Sequence, residues 1–480
     1  MQSLWLNNMQ IPQYEKLQSD INRDVVIIGG GISGILTAYN LAQKGVKSTI
    51  IEANKILHGV TANTTAKLTV QQELLYANLS KKYSLNFAKE YYNVQLSALE
   101  KYKNLIDNKR IDCELKKTTA YNYTLKDNND LLKEFAFYEK INAPASFVNY
   151  IELPFKINGA IKLDDQYQFH PLKFLVSLLD KLEIYENTKA VKVDIKTNTI
   201  CTEKYKIKAQ KIIIATHFPF IDSRGFYFLK MYQSRSYLCA LTNVPKINGI
   251  YLDVAPDGLT FRMYKDYLIL GGLDHRTGRN EHIDNYAKLN KISNSLFPKS
   301  SIEFMWSAQD CITFDRVPYA GEYSHTTKNL YVLTGFNKWG MLNSMACADL
   351  VSDIIIGKHN NGEEIFSPLR NRVYKHFGSF LMNTFVNIKG LLSQPLLLPF
   401  STEKSLQRNM GSVVWYKGFK RAVYKDKKGK LYVLKSGCTH LKCQIKWNNS
   451  DKVWECPCHG SRFDIYGNVL DSPAYKKLEL

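Results

Sequence analysis

No run of about twenty uninterrupted apolar residues, the length a membrane-spanning helix requires, occurs in this sequence of 480 residues. The most apolar stretch, SFLMNTFVNIKGLLSQPLLLPF, is interrupted by Lys389, Gln394, Pro395 and Pro399. It reads as an interdomain packing segment, with peripheral membrane contact as the lesser alternative. The opening MQSLWLNNMQIPQYEKLQSDIN has neither a basic start leading into an apolar run nor a small-residue cleavage site, so no secretory signal is expected and a cytoplasmic location is. Nor is there a long basic run behind the formal charge of +20, because the lysines are scattered among Asn, Ile and Tyr. Compositional bias accounts for that charge, no nucleic acid is expected as a partner, and an acidic redox protein or a lipid surface is the alternative. No repeat of solenoid period is present. The balance of 45% hydrophobic and 22% charged residues excludes a disordered or fibrous chain, and the length suggests two or three domains.

Cysteine is sparse over most of the chain. Cys113, Cys201, Cys239, Cys311 and Cys347 stand alone in apolar or mixed surroundings, as buried free thiols do. The other four lie between Cys438 and Cys458. A reducing compartment disfavours a general disulfide framework, so this cluster reads first as metal or redox chemistry.

Only one dinucleotide fingerprint is present. DVVIIGG is a short apolar run ending in glycines, ISGILTAYNLAQKG has helical apolar spacing, and KSTIIEA is a second strand ending in an acid. Gly29, Gly31 and Gly34 have the G-x-G-x-x-G spacing that gives a tight turn, close approach to a pyrophosphate and close helix-to-strand packing. Glu52, eighteen residues beyond Gly34, is placed to accept hydrogen bonds from an adenosine ribose. A tight turn in a parallel sheet is the alternative reading. The hydroxyl-rich HGVTANTTAKLT, with Thr65 and Lys67, and the later KIIIATHFPF and NLYVLTGFNKWGMLNSMACADLV supply the return visits of the chain that an extended flavin needs.

DVVIIGGGISG with Glu52, KIIIATH, FDRVPYAG and TGFNKWGM resemble the D-amino-acid-oxidase and glycine-oxidase superfamily of FAD enzymes over about the first 375 residues. The resemblance implies an α/β, Rossmann-like FAD-binding domain interleaved with an α+β substrate domain whose antiparallel sheet covers the flavin, with NLSKKYSLNFAKEYYNVQLSALEKYKNLI as helix. It places Gly29, Gly31, Gly34 and Glu52 on the ADP half and Gly335, Asn337, Gly340 and Met341 near the ring or ribityl chain. Lys67 reads as a solvated loop lysine, with stabilisation of negative charge on reduced flavin as the alternative role that the resemblance implies. One departure stands out. Amino-acid-oxidising relatives commonly carry an Arg before the Asp-Gly-x-Pro stretch to clamp the substrate carboxylate, whereas this chain offers Gln309 and Asp310. Arg262 and Arg235 are alternative clamps, and His217 and His275, at strand ends, are candidates for handling protons, with structural roles as the plainer reading of all four. Cys311 is a candidate point of covalent flavin attachment, set against a buried free thiol.

Cys438-x-His440 and Cys456-x-x-His459 place one thiolate and one imidazole on each of two loops. Zinc can use two Cys and two His, but its finger form pairs Cys with Cys and His with His along the chain. A 2Fe-2S centre in which two His replace two Cys on one iron wants the mixed pairing. Cys443 and Cys458 occupy matching places in the two loops and could join as a disulfide, which zinc does not need. CTHLKC and CPCHGSRFD resemble the Rieske domain of the cytochrome bc type, a small all-β domain. By that resemblance Cys438 and Cys456 bind one iron and His440 and His459 the other. Lys442 replaces the usual Gly, Phe463 stands where high-potential members have Tyr, and Ser461 is retained.

The expected organisation is an oxidoreductase region over 1–375, with FAD-binding parts near 20–75, 165–225 and 325–372 and substrate-domain parts near 76–164 and 226–324. A linker over 376–404 and a Rieske domain over 405–480 follow. The expected cofactors are FAD and one 2Fe-2S cluster, which together turn a two-electron oxidation into single-electron steps. The leading expectation is a dehydrogenase that oxidises a small organic molecule, an amine or amino-acid derivative, and passes electrons to an external protein or quinone acceptor. An NAD(P)H-linked reductase lacks a second fingerprint, a Rieske oxygenase lacks a two-His-one-carboxylate iron site, and a non-catalytic redox sensor is the remaining alternative.

Overall fold

The computed structural model describes residues 2–221, 224–279, 282–370, 399 and 401–480. Apart from Pro399, the apolar segment 379–400 lies outside the described residues, as does most of the expected linker.

Val25, Val26, Ile27 and Ile28 are all buried because their strand, Ile21–Ile28, is covered on both faces, the pattern of a parallel strand inside an α/β layer. It pairs in parallel with Ser48–Ile51 on one side and Lys206–Ile214 on the other. The sheet runs in the order Tyr319–Glu322, Leu330–Thr334, Lys206–Ile214, Ile21–Ile28, Ser48–Ile51, Glu183–Tyr185. The helices Ile32–Gln43 and Gly340–Ile355 pack against each other. The chain therefore leaves its first strand at the centre of the sheet, where neighbouring connections diverge and a crevice opens at the strands' carboxyl ends.

A nine-stranded sheet forms the second layer, with the long antiparallel strands Ser301–Thr313, Met231–Thr242 and Tyr267–Arg276 side by side at one end, Ser301–Thr313 being the edge. A parallel pair, Ile250–Asp253 with Lys116–Thr124, interrupts the antiparallel order. The stretch expected as helix divides in two, Leu75–Lys82 and Leu85–Lys109. Ser84 leaves the helical region, and its hydroxyl accepts the Phe87 amide, so it caps the second helix.

The C-terminal region is all β. Three strands, Met410–Tyr416, Phe419–Lys425 and Leu431–Lys435, form one sheet, and Lys446–Asn448, Val453–Glu455, Arg462–Phe463 and Val469–Asp471 another. Trp447, Trp454 and Phe463 fill a core of its own. No helix among the described residues is long and apolar enough to cross a membrane.

Candidate functional site

A cavity of about 660 Å³ opens at the end of the first strand, lined by Gly29, Gly31, Glu52, Thr65, Lys67, Gly340 and Met341 among others. Gly29 has φ +117°, and a Cβ there would lie 2.4 Å from Ala215 O; at Gly34 it would lie 2.0 Å from Gly29 O. Side chains at either position would push strand, turn and helix apart, which explains the glycines. The helix that follows has Gly31 as its N-cap without a side-chain cap. Glu52 accepts the Gly30 and Asn54 amides at 2.8 Å each, and burial raises its pKa. The glycine cradle and the carboxylate fit the ADP half of FAD.

Several charged groups face the same cavity. Lys67 is not a solvated loop residue: it lies in the strand Lys67–Leu68, its ammonium hydrogen-bonds Thr260 Oγ1, and burial, helped by Arg262, pulls its pKa down to about 7. Burial pushes Asp310 up to about 6, with Lys338 opposing. Lys338 pairs with Asp274. Arg262 is buried with Nε on Thr65 O at 2.5 Å and its guanidinium 5.1 Å from the Trp5 ring, while Nη1 and Nη2 have no hydrogen-bond partner. Arg235 lines the cavity but is committed to Asp451 Oδ2 at 2.9 Å, so it is not a free carboxylate clamp.

The expected histidines separate. His217 is half-buried against the cavity in a left-handed conformation (φ +66°), and its buried Nε2 has no hydrogen-bond partner. Burial lowers its pKa, opposed by Asp471. His275 lines a neighbouring cavity and is engaged at both nitrogens, by Tyr237 OH at 3.1 Å and Arg276 O at 3.0 Å, which is the structural reading. Gly335 and Asn337 shape a turn: Asn337 accepts the Thr313 amide and donates to Gly335 O. Cys311 lines the cavity with its thiol directed at His217 O and its pKa raised by burial.

In the C-terminal region two tight loops approach each other. One is closed by Cys438 N to Cys443 O and Lys442 N to Cys438 O, the other by Cys456 N to Ser461 O and Gly460 N to Cys456 O. A disulfide joins Cys443 to Cys458. The Cys438 and Cys456 thiols are in hydrogen-bond contact, and the His440 and His459 rings lie 5.0 Å apart. Both ring nitrogens of His459 are buried without a hydrogen-bond partner, a costly state that coordination to a metal would relieve. Two thiolates and two imidazoles on facing loops fit a 2Fe-2S centre of mixed ligation. Ser461 hydrogen-bonds Cys438 and accepts the Ala474 amide.

These loops rest on the wall of the first cavity. Gln233 Nε2 donates to His459 O at 2.6 Å, and Gln309 Nε2 donates to Gly460 O at 2.9 Å and Gln233 Oε1 at 2.5 Å. Both glutamines line that cavity. The ring of His459 packs 5.6 Å from Phe228 and 6.4 Å from Phe218.

Residues 24–354 match the family model described as FAD dependent oxidoreductase, and residues 398–480 match the Rieske [2Fe-2S] domain. The chain is a member of the FAD-dependent oxidoreductases with a Rieske domain. It is 34% identical to the "Putative Rieske 2Fe-2S iron-sulfur protein YhfW" of Bacillus subtilis, over all of this chain and 97% of that one. A shorter match, 45% over 49 residues, covers 10% of this chain and 28% of a cytochrome b6-f complex iron-sulfur subunit of Synechococcus. The glycine oxidase of Geobacillus kaustophilus shares the fold of the first region, with a TM-score of 0.63 and 18% identity over 73% of this chain and 99% of that one. This oxidoreductase binds FAD and a 2Fe-2S cluster. Sequence reasoning missed Gln233, Asp451, Glu455 and the segment Val469–Tyr475 as parts of the site; of the residues that join the two domains, Gln309 carried a signal as a departure from the amino-acid-oxidising pattern and Arg235 as a candidate clamp.

Proposed function

We propose that this oxidoreductase dehydrogenates a small amine or amino-acid derivative and delivers the electrons singly to an external acceptor, protein or quinone. The observation that carries this reading is the contact of the His459–Gly460 loop with Gln233 and Gln309, side chains that also line the cavity of the glycine fingerprint. FAD would be held by Gly29, Gly31, Gly34, Glu52, Thr65, Lys67, Gly340 and Met341, with Gly335 and Asn337 shaping the turn beside it. Cys438 and Cys456 would bind one iron, His440 and His459 the other. Bound FAD supplies two-electron oxidation and the bound cluster single-electron exchange.

The chain's own groups suit an amine. Asp310 and Asp274 present carboxylates to the cavity, and above a pH of about 6 Asp310 is ionised and able to take a proton from a substrate nitrogen. Lys67, backed by Arg262, supplies positive potential for an anionic group. With Arg235 committed to Asp451, Lys67 replaces the arginine clamp of the amino-acid oxidising relatives. Anaerobic mixing with a panel of amines, amino acids and NAD(P)H tests the reading: a compound of the first two classes bleaches the flavin, and the EPR signal of the reduced cluster follows. Rapid stoichiometric bleaching by NADH alone refutes it.

A further inference from the structure

We propose that the C-terminal domain is a wall of the FAD site, so that its docking controls how firmly the cofactor is retained. The inference rests on FAD binding and not on the identity of the substrate. Val469–Tyr475, with Arg462, lines the same cavity as Gly29, Gly31 and Glu52. At one end of this segment Tyr475 O accepts Lys189 Nζ at 3.1 Å. Lys189 follows Thr188, whose amide donates to Glu52 O at 2.8 Å, so the contact sits at the carboxylate end of the fingerprint. At the other end Asp471 faces His217, at the close of a central strand of the nucleotide sheet. The segment thus spans the crevice from strand end to Glu52, on a stretch of chain far from the fingerprint in sequence.

A buried charge node holds the wall in place. Asp451 takes Arg235 Nε at 2.9 Å and Arg462 Nη2 at 2.8 Å, along with hydroxyls of Ser307 at 2.9 Å and Tyr286 at 3.0 Å. Arg462 also grips Asp471 at 2.8 Å, which ties the node directly to the lining segment. Glu455 lies 3.6 Å from Arg235 and 3.4 Å from Arg462 and accepts the Gly278 amide at 2.9 Å. Removing one partner from such a node leaves buried charge uncompensated. A cofactor enclosed by a folded domain leaves only when that domain moves, so its rate of loss follows the opening of the seam.

The test uses the holoenzyme with no substrate or acceptor, so its failure is separate from failure of the proposed dehydrogenation. Two variants loosen the seam from different sides: Asp451→Asn at the node, and Gly278→Ala, whose Cβ would lie 2.8 Å from Pro457 Cα. FAD loss is followed by the rise of free-flavin fluorescence after dilution, seam opening by hydrogen exchange of the Asn285 amide, which donates across the seam to Ser450 Oγ at 2.8 Å, and cluster integrity by EPR. Each variant is expected to lose FAD at least tenfold faster, in step with faster seam exchange and with an unchanged cluster spectrum. A variant whose seam amide exchanges tenfold faster while FAD loss stays within twofold of wild type overturns the wall. Unchanged seam exchange in both variants overturns the role given to the node.

Discussion

Gln309→Leu offers a quantitative probe of the contact between the two cofactor regions. The leucine occupies similar space but strands three closely bonded groups, Gly460 O and Gln233 Oε1, which accept from Gln309 Nε2, and Thr277 Oγ1, which donates to Gln309 Oε1 at 3.0 Å, and it also removes a longer contact from Arg235 Nη1 at 3.4 Å. Gln309 is 3% exposed, so solvent does not replace these bonds in the docked state. Each buried group left without a partner costs about 1 kcal/mol or more, giving about 3 kcal/mol in total. Undocking returns the stranded groups to water, so the whole cost falls on the docked state and its population ratio drops on the order of a hundredfold. Two backbone amides report that ratio, because they donate across the seam: Gly278 to Glu455 and Asn285 to Ser450 at 2.8 Å. Native-state hydrogen exchange at both should accelerate by about that factor if they exchange through seam opening. Reduction by any compound that the substrate panel shows to bleach the flavin should then leave it bleached for longer before the cluster signal develops. Unchanged exchange at both amides, with flavin and cluster spectra intact, would refute the reasoning that these glutamine bonds hold the domains together.

Lys67, held down to about 7, carries its charge below that pH and loses it above; binding of acetate, read from the perturbed flavin absorbance, should weaken as pH rises through 7, and Lys67→Met should abolish the dependence. Ser461→Ala removes a hydrogen bond to Cys438 and should lower the cluster midpoint, because such bonds stabilise the more negative reduced state; an unmoved midpoint in an EPR-monitored titration, with the cluster intact, would exclude tuning by this serine. Lys442 sits at φ +62°, where an L-residue costs about 1 kcal/mol relative to glycine, so Lys442→Gly should raise the denaturation midpoint of the C-terminal domain by that increment in free energy.

What was legible in the sequence is what local spacing determines. The glycines and Glu52 belong to one strand-helix-strand unit, and the Cys/His loops need only short-range spacing to display a ligand set. Lys442 was visible as a departure, and its left-handed backbone supplies the physical reason that glycine is usual there. Long-range pairings were opaque. Asp451 carries no signal in sequence and Arg235 reads there as a candidate clamp or structural residue; nothing pairs them across 216 residues until the docked domain buries them together. Lys67 read as a loop lysine because the strand that buries it is two residues long and owes its place to pairing with Tyr167 and Gln168. The helix break at Ser84 hid in a polar stretch between two segments that both carry helical patterning.

The seam also divides the two imidazoles. His459 is 1% exposed and enclosed by Phe218, Phe228 and the backbone contact from Gln233, whereas His440 is only partly buried and its loop continues through partly buried Leu441 to exposed Lys442. In a Rieske domain tethered loosely, the same face could serve a donor and an acceptor by turns. Here Asp451, Glu455, Gln233 and Gln309 fix one face against the cavity wall. Among the described residues, the His440 side is therefore the one open to an external partner. Under the proposed electron flow, donor and acceptor would then meet different sides of the imidazole pair, and delivery to the acceptor would need no release of the docked domain.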